Sequence, residues 1–242
     1  MVSTAVDDPL QFSSYFIFTY KKWYNVSAKT VDEEQKMNQK KPTKRDLQAA
    51  ETRQKIFDTA FRLITEKGFE NVTVEEIAKE SEVAKGLFYH YFKSKDDIVV
   101  ETYLIIDKSY REFYAENAPH CNSIEKILLT VVFQARHAAY LGVDFVRQIY
   151  KSQLYAGTEY FISKERPFYT ILRDAISAAQ LDGTVRDDVS AEKLANIILS
   201  CGRGMLYDWC LNEGKYDLEE RMTNQLTIII EGMRKDSNIE GI

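Results

Sequence analysis

From about residue 43 to residue 235, apolar residues recur at three- and four-residue intervals, and almost no run alternates with the period of two that a strand requires. Helical spacing is clear in Ile56, Phe57, Ala60, Phe61 and Ile64, and again in Leu194, Ile197, Ile198, Cys201, Met205 and Trp209. The breaks between such segments carry recognised stop and start signals. Gly68 follows Lys67, and Thr73-Val74-Glu75-Glu76 has the form of a capping box. Ser94 stands three residues before Asp97, and further breaks fall at 117–123, at Leu181-Asp182-Gly183-Thr184 and at Asn212-Glu213-Gly214. Only 10 glycines and 4 prolines interrupt the 242 residues. These patterns predict an all-α chain of about nine helices, over 43–67, 73–80, 84–91, 94–116, 123–141, 143–155, 167–180, 190–212 and 218–235.

Several function classes are disfavoured. The 3 cysteines, Cys121, Cys201 and Cys210, show no CxxC spacing and read as small hydrophobes in a reduced, cytoplasmic setting. With 3 histidines and no paired-ligand spacing, no metal site is expected, and no cofactor either. No run of 18 apolar residues suggests a membrane span. There is no nucleophile–base spacing and no glycine-rich phosphate loop, so the chain does not read as an enzyme.

Residues 1–43 lack periodicity and read as a disordered or extraneous tail. The aromatic stretch FSSYFIFTYKKWY within it lacks the flanks of a signal peptide. Met37 begins MNQKKPTKRD immediately ahead of the first patterned helix and is a candidate natural start.

The segment EVAKGLFYHYFKSKDDIV, Glu82 to Val99, places five consecutive rings between lysines. At 100° per residue from Lys85, Ala84, Phe88, Tyr91 and Phe92 share an arc from about 240° to 340°. Lys85, Gly86, Tyr89 and His90 share the opposing arc, from about 0° to 140°, with Leu87 on the border. Phe88 and Phe92 therefore suit a small core. Tyr89 and His90 face outwards beside a lysine, and phenol, imidazole and ammonium groups can all donate to phosphate oxygens. Gly86 permits close approach, and Lys95 opens the next helix, where positive potential favours a phosphate. Bulk charge does not make this point. Net charge is −5, and residues 44–99 carry 10 Lys and Arg against 11 Asp and Glu.

The run VTVEEIAKESEVAKGLFYHYFKSKDDIV, Val72 to Val99, with its lead-in ITEKGFENVT, resembles the DNA-binding signature of TetR/AcrR-family transcriptional regulators. That signature is a T-x-x-x-I-A helix, a turn, K-G-x-(L/F)-Y-x-Y-F, K-x-K and an acidic helix start. A looser similarity continues through LDGTVRDDVSAEKLA and CGRGMLYDW.

The resemblance implies a three-helix helix-turn-helix domain at 44–99 and a ligand-binding and dimerisation domain at 100–242. It also implies DNA contacts: Thr73 on a phosphate; Lys85, Gly86 and Leu87 at or near base edges; Tyr89 and His90 on backbone or thymine methyls; Lys95 on a phosphate. Two positions depart from the pattern. Glu82 stands where the family usually has glycine, which implies a strained turn, and Ala84 stands where a capping hydroxyl is usual.

In the second domain Arg136, His137, Tyr140, Tyr150, Phe168 and Trp209 are candidates to hold a mostly apolar small-molecule effector, with Phe145, Tyr155, Phe161 and Tyr169 as further rings. The same rings suit plain core. Apolar stripes over 194–209, and over Met222, Leu226, Ile229, Ile230 and Met233, suit a homodimer interface. The function the resemblance implies is that of a ligand-responsive homodimeric regulator, a repressor, released from a palindromic DNA operator by its effector. The competing class is a helical small-molecule-binding protein or enzyme whose N-terminal bundle is structural.

Overall fold

A computed structural model describes residues 43–156 and 162–235. The aromatic stretch at 12–24, Met37 and nearly all of the expected tail lie outside the described residues, as do Phe161 and the side chain of Tyr155. Nine α-helices occur among the described residues: α1 Lys44–Lys67, α2 Val74–Glu80, α3 Lys85–Tyr91, α4 Lys95–Asn117, α5 Ser123–Leu141, α6 Val143–Ala156, α7 Pro167–Leu181, α8 Ala191–Leu211 and α9 Leu218–Glu231. The chain is all-α. It divides into two compact units between Ser109 and Tyr110, within α4.

The first unit starts with a reciprocal cap. The Thr43 hydroxyl accepts from the Asp46 N–H at 3.2 Å, while the Asp46 carboxylate accepts from the Thr43 N–H at 2.8 Å. Helix α1 ends at Gly68, whose φ of 82° reverses the chain. Ile56, Phe57, Ala60, Leu63 and Ile64 of α1, Ile77 of α2, Phe88 and Phe92 of the α3 segment, and Ile98 and Val99 of α4 are all buried, and α1 packs on α2 and α3. Phe92 is the hinge of this core, 5.7 Å from Phe88 and 6.5 Å from Phe57 between ring centroids.

In the second unit α5 is the central element, packed against α6, α7, α8 and α9. Asn122 and Glu125 cap it reciprocally, with both hydrogen bonds at 2.9 Å. Helix α8 comes close enough that a Cβ at Gly202 would lie 2.7 Å from the Gln134 amide oxygen, so this glycine reflects helix–helix approach. The apolar pattern of the last helix runs to residue 235, but α9 ends at Glu231. The backbone beyond it is recruited elsewhere. The Arg186 N–H donates to the Met233 carbonyl at 2.8 Å and the Lys235 N–H to that of Thr184 at 3.1 Å, pinning the end of the described chain to the α7–α8 loop.

The stripes expected to form a dimer face separate into two sets. Leu194, Ile198, Trp209, Met222, Leu226, Ile230 and Met233 are buried within this unit. Their i, i+3, i+4 spacing marks the stripe that α8 and α9 turn to their own core. Of the expected stripes Ile197 is exposed and Cys201, Met205 and Ile229 are half-buried; Tyr207 and Leu211 of α8 and Ile228 of α9, outside those stripes, are exposed as well.

Candidate nucleic-acid interface

Helices α2 and α3 meet through a tight turn. The Val83 N–H donates to the Ala78 carbonyl at 2.9 Å and the Glu82 N–H to that of Lys79 at 3.0 Å, the paired hydrogen bonds of a Schellman motif. That motif puts Glu82 at φ 55°, in the left-handed region. The backbone takes the glycine geometry with glutamate in place, and the Glu82 carboxylate pairs with Lys55 of α1. Hydrogen bonding to Lys55 lowers the Glu82 pKa. Ala84 stands at the N-cap of α3 and supplies no side-chain cap. The entry to α3 therefore has a strained residue before it and no hydroxyl on its first N–H groups.

Helix α3 has seven residues, and Phe88 is its one buried side chain. Phe88 and Phe92 are fully enclosed, whereas Tyr89 is 48% exposed and Ala84, Lys85, Gly86 and His90 are exposed. Leu87 and Tyr91 are half-buried. Tyr89 stands edge-on to Phe88 at 5.5 Å, so the core ring sets the angle of the outward one. A Cβ at Gly86 would meet nothing within 4 Å, so the space there is open.

Thr73 is the N-cap of α2, its hydroxyl accepting from the Glu76 N–H at 3.1 Å. Lys95 has a different environment from the open one its sequence position implies. Its ammonium donates to the Phe69 carbonyl at 2.7 Å and to the Val72 carbonyl, and lies 4.3 Å from the Phe69 ring centroid. Burial lowers its pKa. Two of three ammonium protons thus hold the α1–α2 connection beside Thr73.

Four acids line α2 and its turn, and each has a cation. Glu76 pairs with Lys67, Glu80 with Arg62 at 3.5 Å and Glu82 with Lys55, all on α1. Glu75 alone pairs with the reading face, through Lys85. Their hydrogen bond raises the Lys85 pKa and lowers that of Glu75.

In the second unit the six effector candidates occupy several environments. His137 and Phe168 belong to one buried ring cluster, with Phe133 4.6 Å from His137 and Tyr110 4.8 Å from Phe168 and 4.9 Å from Phe133. Burial pushes the His137 pKa down to about 3. Arg136 donates to Glu219 of α9 at 2.7 Å. Tyr150 donates to the Arg203 carbonyl at 2.7 Å, and Trp209 to that of Tyr216 at 3.2 Å. Burial raises the Tyr140 pKa. An open groove of about 340 Å³ lies between α8 and α9, bordered by Cys201, Met205, Asp208, Tyr216 and Arg221.

Residues 56–102 match the family model for bacterial regulatory proteins of the tetR family. The HTH-type transcriptional regulator AcrR of Shigella flexneri is 25% identical over 198 residues, covering 76% of this chain and 90% of that protein. Residues 56–102 carry the TetR-family DNA-binding domain. Two solved structures share the fold. FadR of Thermus thermophilus, a TetR family transcriptional repressor in complex with lauroyl-CoA, has a TM-score of 0.57 at 20% identity and covers 78% of this chain and 100% of its own. A proposed transcriptional regulator from Saccharomonospora viridis, in complex with choline, has a TM-score of 0.60 at 22% identity and covers 77% and 99%.

Within this head, four cations lie outside the DNA contacts expected from the sequence. Lys44, Arg45, Lys79 and Lys93 are exposed and form no ion pair among the described residues, unlike Lys85. Lys44 and Arg45 had a signal, as the end of the basic run Lys36–Arg45. The role of Glu75 had none, because its partner lies ten residues away across the turn.

Proposed function

We propose that this chain is a ligand-responsive transcriptional repressor that binds a palindromic operator as a homodimer. The observation that carries the reading is the split in α3. Phe88 and Phe92 fix the helix from below, and Lys85, Gly86, Tyr89 and His90 are presented together above. Such a helix suits the major groove, with Thr73 and the exposed cations Lys44, Arg45, Lys79 and Lys93 as phosphate contacts. Residues 44–99 act as the reading head and the second unit as the effector and dimerisation part.

The exposed Ile197, Tyr207, Leu211 and Ile228 support pairing through α8 and α9, and a twofold pair of heads would read half-sites in successive major grooves. The effector is a small, mostly apolar molecule. Lauroyl-CoA and choline in the two neighbours differ too much in chemistry to name it. Release requires that the effector bind one conformation better than the other, a coupling of about 1–3 kcal/mol.

Genome-fragment selection with the purified protein gives the operator, and gel-shift titration with variants tests the face. Tyr89→Ala and Lys95→Ala are each expected to weaken operator binding in a protein that remains folded. Normal binding by both refutes the site. The salt dependence separates the two roles open to Lys95. A phosphate clamp removed flattens the salt slope by about 0.9 per head, whereas loss of the tether to Phe69 and Val72 weakens binding at constant slope.

A further inference from the structure

The Glu75–Lys85 pair stands apart from its neighbours. Glu76, Glu80 and Glu82 each reach back to α1, so their pairs brace the three-helix bundle. Glu75 instead spans the two helices of the helix-turn-helix on its exposed side, with both side chains at least half open to solvent. The Lys85 ammonium also lies 5.8 Å from the Tyr89 ring centroid. The cation best placed to meet DNA is thus held between a carboxylate and an aromatic ring before DNA arrives.

We propose that Glu75 is a specificity-determining residue that withholds Lys85 from DNA until both members of the pair find partners on base edges. The inference rests on the reading of α3 as the DNA-reading helix. On a non-matching site, attraction is to phosphates alone. Transferring Lys85 to a phosphate there leaves the Glu75 carboxylate unpaired beside a polyanion, so the exchange gains little. On a matching site the chemistry differs. A lysine ammonium donates to guanine O6 and N7, and a carboxylate accepts from an exocyclic amino group, cytosine N4 or adenine N6. A guanine next to an amino-bearing base therefore re-partners both charges at once. The pair acts as a filter, lowering affinity for all DNA and lowering it least where that juxtaposition occurs.

The three braced acids cannot act this way, because their cations belong to α1. Glu82 in particular keeps its charge directed at Lys55.

The test is fluorescence-anisotropy titration of the full chain, wild type and Glu75→Gln, against the selected operator and a shuffled duplex of the same length, over a salt series. With Glu75 exposed, Glu75→Gln keeps the thermal unfolding curve of the wild type. The variant is expected to bind the shuffled duplex more tightly, with a salt slope steeper by about 0.9 per head as Lys85 becomes free for phosphate. Its operator-to-shuffled ratio falls at least about fivefold. Selection from a randomised operator then relaxes the amino-bearing position in each half-site. An unchanged ratio and slope in Glu75→Gln overturn the inference alone. A wild-type protein that binds both duplexes equally at every salt overturns the reading of α3, and this inference with it.

Discussion

Helix α3 buries one side chain, Phe88, among seven residues, whereas α5 buries eleven among nineteen. The two helices are equally regular, yet only the first advertises its work. A helix packed on one side leaves its outward residues without a structural duty, so their chemistry can be read as function. A helix enclosed on several sides gives every residue a packing duty first, and an effector contact is then one use among others for the same ring. His137 and Phe168 illustrate this. Both were singled out as effector candidates, and both are part of a close-packed ring cluster.

The sharpest way to break the contrast lies within α3, at adjacent residues. Phe88→Ala removes a fully buried ring that touches Phe92 and Tyr89. It is expected to cost about 3–5 kcal/mol, enough to unfold the reading head or leave it marginal. Tyr89→Ala is expected to change stability by less than about 1 kcal/mol while weakening operator binding. Circular-dichroism melts with parallel gel shifts check the pair. If both variants lose stability equally, the division of α3 into a packing side and a reading side is wrong.

On α5 the corresponding test is pH. Burial holds the His137 pKa near 3, well below the ordinary value of 6.5. The unfolded chain therefore takes up a proton at this site that the folded chain refuses. Stability from this residue is present above pH 6.5 and is lost as pH falls from there towards 3. Between pH 6.5 and pH 5 the loss amounts to about 2 kcal/mol at 1.36 kcal/mol per unit. Urea melts at the two pH values should show that drop in the wild type and its absence in His137→Gln. Equal pH dependence in both proteins would show that His137 is hydrated or paired when folded.

How much was legible follows the same division. Thr73, Gly68 and Gly183 announced helix ends, and nine helices fell near their expected places because caps and apolar spacing act locally. The last helix overran, since nothing local reveals that the backbone of 233–235 is claimed by the α7–α8 loop. The inward and outward rings of α3 followed from angle alone. The Lys95 ammonium on the Phe69 and Val72 carbonyls, the Glu75–Lys85 pair and the inward turn of Met222 and Leu226 did not, because each depends on a partner from another element. The groove beside α8 was missed for a related reason. Cys201 and Met205 looked like interface residues from their stripe, and only the approach of Tyr216 and Arg221 gives that stripe a concave edge.

The smallest effect concerns two turns of one design. After α7, the Thr184 N–H donates to the Ala179 carbonyl at 2.9 Å and the Gly183 N–H to that of Gln180 at 3.2 Å, with Gly183 at φ 81°. After α2 the same two hydrogen bonds form around Glu82 at φ 55°. The turn is therefore specified by its carbonyl acceptors, and the residue at its left-handed position adjusts the cost. A non-glycine residue there gives up about 1–2 kcal/mol. The exposed pair with Lys55 is screened by solvent and offsets only part of that cost. Glu82→Gly is expected to stabilise the reading head by about 1 kcal/mol, and Gly183→Ala to destabilise the second unit by a similar amount although a Cβ there meets nothing within 4 Å. Thermal melts of both variants decide the matter. Destabilisation by Glu82→Gly would mean that the Lys55 pair, and not the backbone, governs this turn.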